Sequence, residues 1–209
     1  MTDNIKIGVL SIQGDIEENV QACKEALNET GITGEVIEVK THEEILDVDG
    51  LIIPGGESTV ISTMMSLNQS NWETLKQKIS EGLPVLGTCA GMIILAKRVL
   101  DKTIGETQQK LIKILDVTIE RNAFGRQHES FETDLSIPII GDRPFKAVFI
   151  RGPIVKETGN NVQILSKYND KIVAVQQNNI IGTSFHPELA EDNRFYTHFV
   201  RTILKNKKL

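Results

Sequence analysis

The stretch Pro84-Val85-Leu86-Gly87-Thr88-Cys89-Ala90-Gly91-Met92-Ile93-Ile94-Leu95-Ala96-Lys97 decides how the rest of the chain is read. A short apolar run, Val85 and Leu86, gives way to Gly87-Thr88-Cys89-Ala90-Gly91, and an apolar run of helical character follows at once. That order predicts a strand, a tight turn and a helix, with Cys89 at the apex. The G-x-C-x-G pattern is the thiol counterpart of the G-x-S-x-G nucleophile elbow, whose glycines leave space where neighbouring Cβ atoms would clash. At the start of a helix, Cys89 would feel the positive end of the macrodipole and unpaired N–H groups, and both favour thiolate. The Ala90 N–H would face an oxyanion growing on a carbonyl attacked by that sulfur, which is half of an oxyanion hole. A free cysteine is more often a small buried hydrophobe. The flanking glycines and the strand-to-helix switch favour the nucleophile.

Upstream of this elbow, strands and helices alternate. Residues 5–12 are mostly apolar rather than strictly alternating, as in a strand covered on both faces. Gln13-Gly14-Asp15 turns the chain, and Asp15 is placed to cap a helix over residues 16–27. Cys23 falls in that helix with Ile16, Val20 and Leu27, which assigns it to the core. Strands are predicted at residues 35–39 and 50–54. The turn Gly55-Gly56-Glu57-Ser58 follows, and then come helical segments at 59–67 and 72–80, the first capped by Ser58 or Thr59. This alternation predicts an α/β fold: a doubly wound, mostly parallel central sheet with helices on both faces and ligands beyond the carboxyl ends of its strands. After Lys97 the pattern changes. Runs at 111–120, 130–137, 146–151, 161–168, 171–176 and 180–185 are strand-like without intervening helices, so an antiparallel or mixed portion is added in the C-terminal half. A last helix is expected over 191–204, its Phe195, Phe199 and Ile203 stripe turned to the core. No linker divides the chain, and residues 1–209 are read as a single domain.

Composition narrows the partners. A net charge of −5 over 209 residues, with 40% hydrophobic and 24% charged content, is that of an ordinary globular protein and leaves no basic face for nucleic acid. Two cysteines far apart, with no signal-like or membrane-length apolar segment, lead to the expectation of a cytosolic protein without membrane contact. Lys205, Lys207 and Lys208 read as a solvated helix end.

A thiolate that performs acyl transfer needs a base, and the base needs an orienting partner. Ser184-Phe185-His186-Pro187-Glu188 follows a predicted strand. Pro187 holds His186 extended, and residues two apart in an extended chain face one side, so Glu188 can fix the imidazole tautomer and stabilise imidazolium. His42, His128 and His198 have no carboxylate placed by geometry, and no metal-ligand spacing occurs, so neither metal nor cofactor is expected. Gly55-Gly56 exposes backbone N–H groups suited to a phosphate or an oxyanion. The absence of a P-loop lysine favours the oxyanion, with Gly56 completing the hole begun by Ala90. Glu57 would then be free to meet a cationic group on the substrate.

These features together resemble the triad-type glutamine amidotransferases. Gln13-Gly14, Pro54-Gly55-Gly56-Glu57-Ser58-Thr59, the elbow, Glu120-Arg121-Asn122-Ala123-Phe124-Gly125-Arg126-Gln127, Phe149-Ile150-Arg151 and Ser184-Phe185-His186-Pro187-Glu188 are similar to the glutaminase subunits of pyridoxal 5′-phosphate synthases, across the whole chain. The resemblance implies Cys89 as nucleophile, His186 as acid/base, Glu188 as its orienter, and a glutamine pocket of Gly55, Gly56, Glu57, Arg121, Ile150 and Arg151. An arginine fork suits the α-carboxylate of L-glutamine and Glu57 its α-ammonium. It also implies that ammonia passes to a (β/α)8 barrel synthase subunit. Alternatives are a different ammonia-using synthase, a hydrolase of another amide, or a binding module that retains glutamine without turnover. Two departures stand out. Asn19 replaces a frequent histidine, which bears on partner docking, and Gly152 replaces a usual alanine. A peptide between Gly55 and Gly56 can take two orientations at small cost, which leads to the expectation that the isolated chain is nearly silent until its partner docks.

Overall fold

The computed structural model describes residues 4–101, 103–124 and 130–208; Gly125, Arg126, Gln127 and His128, named above, lie outside the described residues. The chain opens with β1 (Ile5–Leu10), α1 (Ile16–Thr30), β2 (Gly34–Val39), α2 (His42–Leu46) and β3 (Gly50–Ile53). It continues through α3 (Ser58–Leu67), α4 (Gln69–Ser80), β4 (Val85–Thr88) and α5 (Ala90–Leu95). β2, β1, β3 and β4 lie side by side and parallel. Successive side chains of these strands feed two separate apolar clusters: Leu51, Ile53 and Val85 join one, Ile52 and Leu86 the other. A strand buried on both faces has no polar side to show, hence its continuous apolar sequence. α1 and α6 (Arg194–Lys207) cover one face, while α3, α4 and α5 cover the other.

The second half adds β5 (Ala96–Asp101), β6 (Gly105–Glu106), β7 (Leu115–Glu120), β8 (Ser130–Leu135), β9 (Phe145–Ile150), β10 (Ile154–Thr158), β11 (Gln163–Tyr168), β12 (Lys171–Gln177) and β13 (Ile180–Thr183). The main sheet runs β2-β1-β3-β4-β13-β12-β10-β7-β5-β6 with β11 on β12, and β8 and β9 form a separate antiparallel pair. β13 returns to the middle of the sheet and pairs parallel with β4, setting Thr183 opposite Thr88. The two strand ends that carry Cys89 and His186 are therefore neighbours. Antiparallel pairing begins beyond β13, as the loss of helical spacing implied.

Several expectations change. The apolar run after the elbow is helical only to Leu95; Ala96 is extended at φ −62, ψ 154 and opens β5. Met92 to Ala96 are buried throughout, so periodicity alone does not separate a buried helix from a buried strand. Residues 111–114 are irregular because Ile112 and Ile114 donate to the carbonyls of Ile94 and Leu95 instead of a strand neighbour. α2, β5, β6 and β10 are short elements without a clear sequence period. The last helix begins at Arg194, since Pro187–Leu189 forms a 3-10 turn first. Glu57, not Ser58 or Thr59, is the N-cap of α3, accepting from Thr59 N. Among the described residues no helix is long and apolar enough to cross a membrane.

Candidate active site

Cys89 sits at φ 48, ψ −99, a conformation L-residues adopt only when the surroundings enforce it. The enforcement is steric. A Cβ on Gly87 would lie 2.8 Å from the Gly91 carbonyl carbon, and one on Gly91 would overlap the Ile53 carbonyl oxygen, so β3, β4 and α5 close up only around glycine. Cys89 N donates to Thr183 O at 2.8 Å, tying the elbow to β13. The Ala90 N–H, first in α5, has no intrahelical acceptor and is available to an incoming oxygen.

His186 follows β13, extended at φ −101, ψ 90, and its backbone N–H donates to Val148 O of β9 at 2.8 Å. Its Nδ1 lies 2.8 Å from Glu188 Oε1, and the ring and Cys89 line the same cavity. Glu188 reaches the ring by way of the 3-10 turn, not along an extended strand as the two-residue spacing had suggested. A second carboxylate is also present: Asp15 Oδ2 is 3.0 Å from the same Nδ1. Asp15 does not cap α1 with its side chain, contrary to the sequence expectation. Burial by itself would lower the His186 pKa, but the ring's interactions with Asp15, Cys89 and Glu188 outweigh it and push it up to about 12. Burial raises Glu188, offset in part by the imidazole, whereas the hydrogen bond to His186 holds Asp15 below the ordinary carboxylate value. Asp15, His186 and Glu188 offer three donor atoms within 4.8 Å of one another, a grouping that sequence spacing did not reveal.

A cavity of about 270 Å³ opens in front of the sulfur, lined by Gly56, Glu57, Cys89, Arg121, Ile150, Arg151 and His186 among others. Gly55 lies behind, where a Cβ would overlap His186 Cε1, and Glu188 supports the ring from the buried side. Arg121 and Glu57 face each other at 3.4 Å, and Glu57 also caps α3, so Glu57 is engaged rather than free. Arg151 is exposed at φ 46, and Gly152 packs where a Cβ would lie 2.8 Å from Ser184 O. Gln13, whose role the sequence left open, accepts from Glu57 N at 2.8 Å and lies against Gly56, which has φ 146. The position of Gln13 and Asp15 just past the carboxyl end of β1 is the signal that could have placed both here. A larger acidic groove of about 550 Å³ runs beside α1, but it does not include Cys89. Asn19 is fully buried, so its difference from histidine acts inside the protein rather than on a docking face. His42 is half-buried beside Glu43, and His198 lies on α6; neither lines this cavity.

A strained cysteine at a parallel strand end, in one cavity with an imidazole backed by carboxylates, is an arrangement of groups that thiol attack on a polarised carbonyl carbon requires. The chain belongs to the SNO glutamine amidotransferase family, which it matches over residues 9–205. It is 46% identical over 203 residues to the pyridoxal 5′-phosphate synthase subunit PdxT of Nitrosopumilus maritimus, covering 97% of this chain and 98% of that one. The protein of the same description from Pyrococcus furiosus is 46% identical over 201 residues, covering 96% and 100%. A crystal structure described as a glutamine amidotransferase superposes with a TM-score of 0.81 at 39% identity, covering 94% of this chain and 98% of that chain. A Thermotoga maritima glutamine amidotransferase shares the fold at TM-score 0.62 and 12% identity.

Proposed function

We propose that this chain is the glutaminase subunit of a pyridoxal 5′-phosphate synthase, hydrolysing L-glutamine to L-glutamate and ammonia. The observation that carries the reading is Cys89, strained at φ 48 and sharing a cavity with an imidazole whose Nδ1 is held by Glu188. The Cys89 thiolate attacks the side-chain amide carbon of glutamine, and the Gly56 and Ala90 N–H groups receive the oxyanion. The tetrahedral species collapses as His186 gives its proton to the departing ammonia, leaving a γ-glutamyl thioester. Water then attacks the thioester, His186 takes its proton, and glutamate leaves as the thiolate is regenerated. Arg121 and Arg151 bind the substrate carboxylate and Glu57 its ammonium, so the ion pair between Glu57 and Arg121 opens on binding. Ammonia passes to a synthase subunit of (β/α)8 barrel type.

The same reading makes the isolated chain nearly silent. The Gly55 carbonyl is held by the Asp15 N–H at 3.3 Å, one of two orientations open to a peptide between glycines. Glutamate release measured with and without a co-purified synthase tests both statements. Strong stimulation by the synthase is expected. No glutamate from the complex would sink the glutaminase reading, and equal rates in the two states would sink partner control.

A further inference from the structure

Asp15 occupies the residue before α1, where a capping carboxylate belongs, yet its side chain caps nothing. Its backbone, φ −80 and ψ 61, lies outside the extended region from which an N-cap side chain reaches back to the first turn. The carboxylate points instead to His186 Nδ1, and a network holds it there. The Asp15 N–H donates to Gly55 O at 3.3 Å, and the Asp15 carbonyl accepts from Asn19 Nδ2 at 2.6 Å. Asn19 Oδ1 in turn accepts from the Tyr196 hydroxyl at 2.6 Å, and both of those residues are fully buried. The residue is anchored by the core on one side and by the glycine turn on the other.

Two carboxylate oxygens thus converge on one ring nitrogen from unlike surroundings. The Glu188 side chain is wholly buried, while 34% of the Asp15 side chain remains exposed toward the cavity. Charge on Glu188 is costly because nothing solvates it, whereas Asp15 keeps contact with water and carries its charge easily.

We propose that Asp15 is a positioning residue of the glutaminase reaction: its carboxylate shares the Nδ1 proton of His186 with Glu188 and supplies the negative charge that holds the ring as imidazolium beside the Cys89 thiolate. The inference rests on the glutaminase reading of this site. Glu188 fixes the orientation of the ring, and Asp15 adds the solvated charge. His186 is faced by Glu188 from its own turn, by Asp15 from the β1–α1 turn and by Cys89 from the elbow. Tyr196 of α6 stands behind the two carboxylates, and Glu57, Arg121 and Arg151 line the cavity in front.

Asp15→Asn keeps the shape and removes the charge. Titration of the His186 ring by NMR of histidine-labelled protein, its resonances assigned by their loss in His186→Gln, reads the imidazolium that Asp15 faces at 3.0 Å. The pH midpoint at which the His186 ring loses its proton should fall by about one unit in Asp15→Asn, because losing a close anion disfavours imidazolium. In the complex with its synthase, kcat for glutamine should fall about tenfold with KM nearly unchanged. Asp15→Asn combined with Glu188→Gln should fall to the level of His186→Ala. An unchanged His186 midpoint, or a loss confined to KM or to thermal stability, would overturn the proposal. Asp15→Ser provides the same readouts should the asparagine variant fold poorly. The ring titration needs neither glutamine nor partner, so its outcome is separate from whether the wild-type complex releases glutamate.

Discussion

Cys89 and its flanking glycines act as one unit, because the φ of 48 at the sulfur persists only while Gly87 and Gly91 let three backbones meet. Gly91→Ala would drive a methyl group into the Ile53 carbonyl, and we expect a stability loss of about 2–3 kcal/mol, read by urea unfolding, together with loss of turnover. Cys89→Ala should abolish glutamate release without unfolding the chain, and Glu188→Gln should weaken it less, since Asp15 still faces the ring. The same charges set a pH dependence. His186 has its pKa raised from the ordinary 6.5 to about 12, so its contribution to stability is complete below 6.5 and is lost as pH rises toward 12. Glu188, raised above its ordinary 4.5 by burial, adds a loss of the same sign that begins lower. Asp15, lowered from 3.8, acts oppositely: its contribution is present above 3.8 and is lost in acid. Urea midpoints of the wild type should therefore fall between about pH 6.5 and pH 9, and His186→Gln should flatten that fall.

At the scale of elements, β13 brings the site together by inserting between β4 and β12, with His186 held from behind by β9. The aromatic packing beneath it, with Phe131 stacked on Phe149 at 4.7 Å and Phe149 edge-on to Phe185 at 5.7 Å, fixes the small β8–β9 sheet against that return. α6 closes the opposite end of the same face, where Ile203 is fully buried against Gly50. Ile203→Ala should cost about 2–4 kcal/mol in urea unfolding while the folded fraction keeps its kcat, because the cavity it opens lies away from Cys89. The elements that escaped the sequence are the ones whose local pattern is silent. β5 follows α5 without a break in apolar character, and α2 is held by a Thr41–Glu44 capping box over only five residues. The α3 cap moved from Ser58 to Glu57 because the Glu57 side chain turns back to Thr59 N while its other contact is Arg121.

Across the whole molecule, the site joins both termini of the chain: Gln13 and Asp15 from the first turn, Cys89 from the middle and His186 near the end. Binding at such a site stabilises the entire fold by mass action. Glutamine at about a hundredfold over its Kd should raise the stability of folded Cys89→Ala by roughly 2.7 kcal/mol, seen as a higher thermal midpoint, and a midpoint indifferent to glutamine would refute binding there. The elbow, the His186–Glu188 pair, the glycine turn and the parallel first half were all legible in residue spacing. These are local matters: residue spacing within a few positions dictates strand, turn and helix, and it places chemistry at strand ends. Three features emerge only from the assembled fold: Asp15 turns from its helix to face His186, Glu57 pairs with Arg121, and β13 lies beside β4. Each of those depends on which distant segments the sheet order makes neighbours, and that follows from burying two apolar faces at once, which no short window of residues encodes.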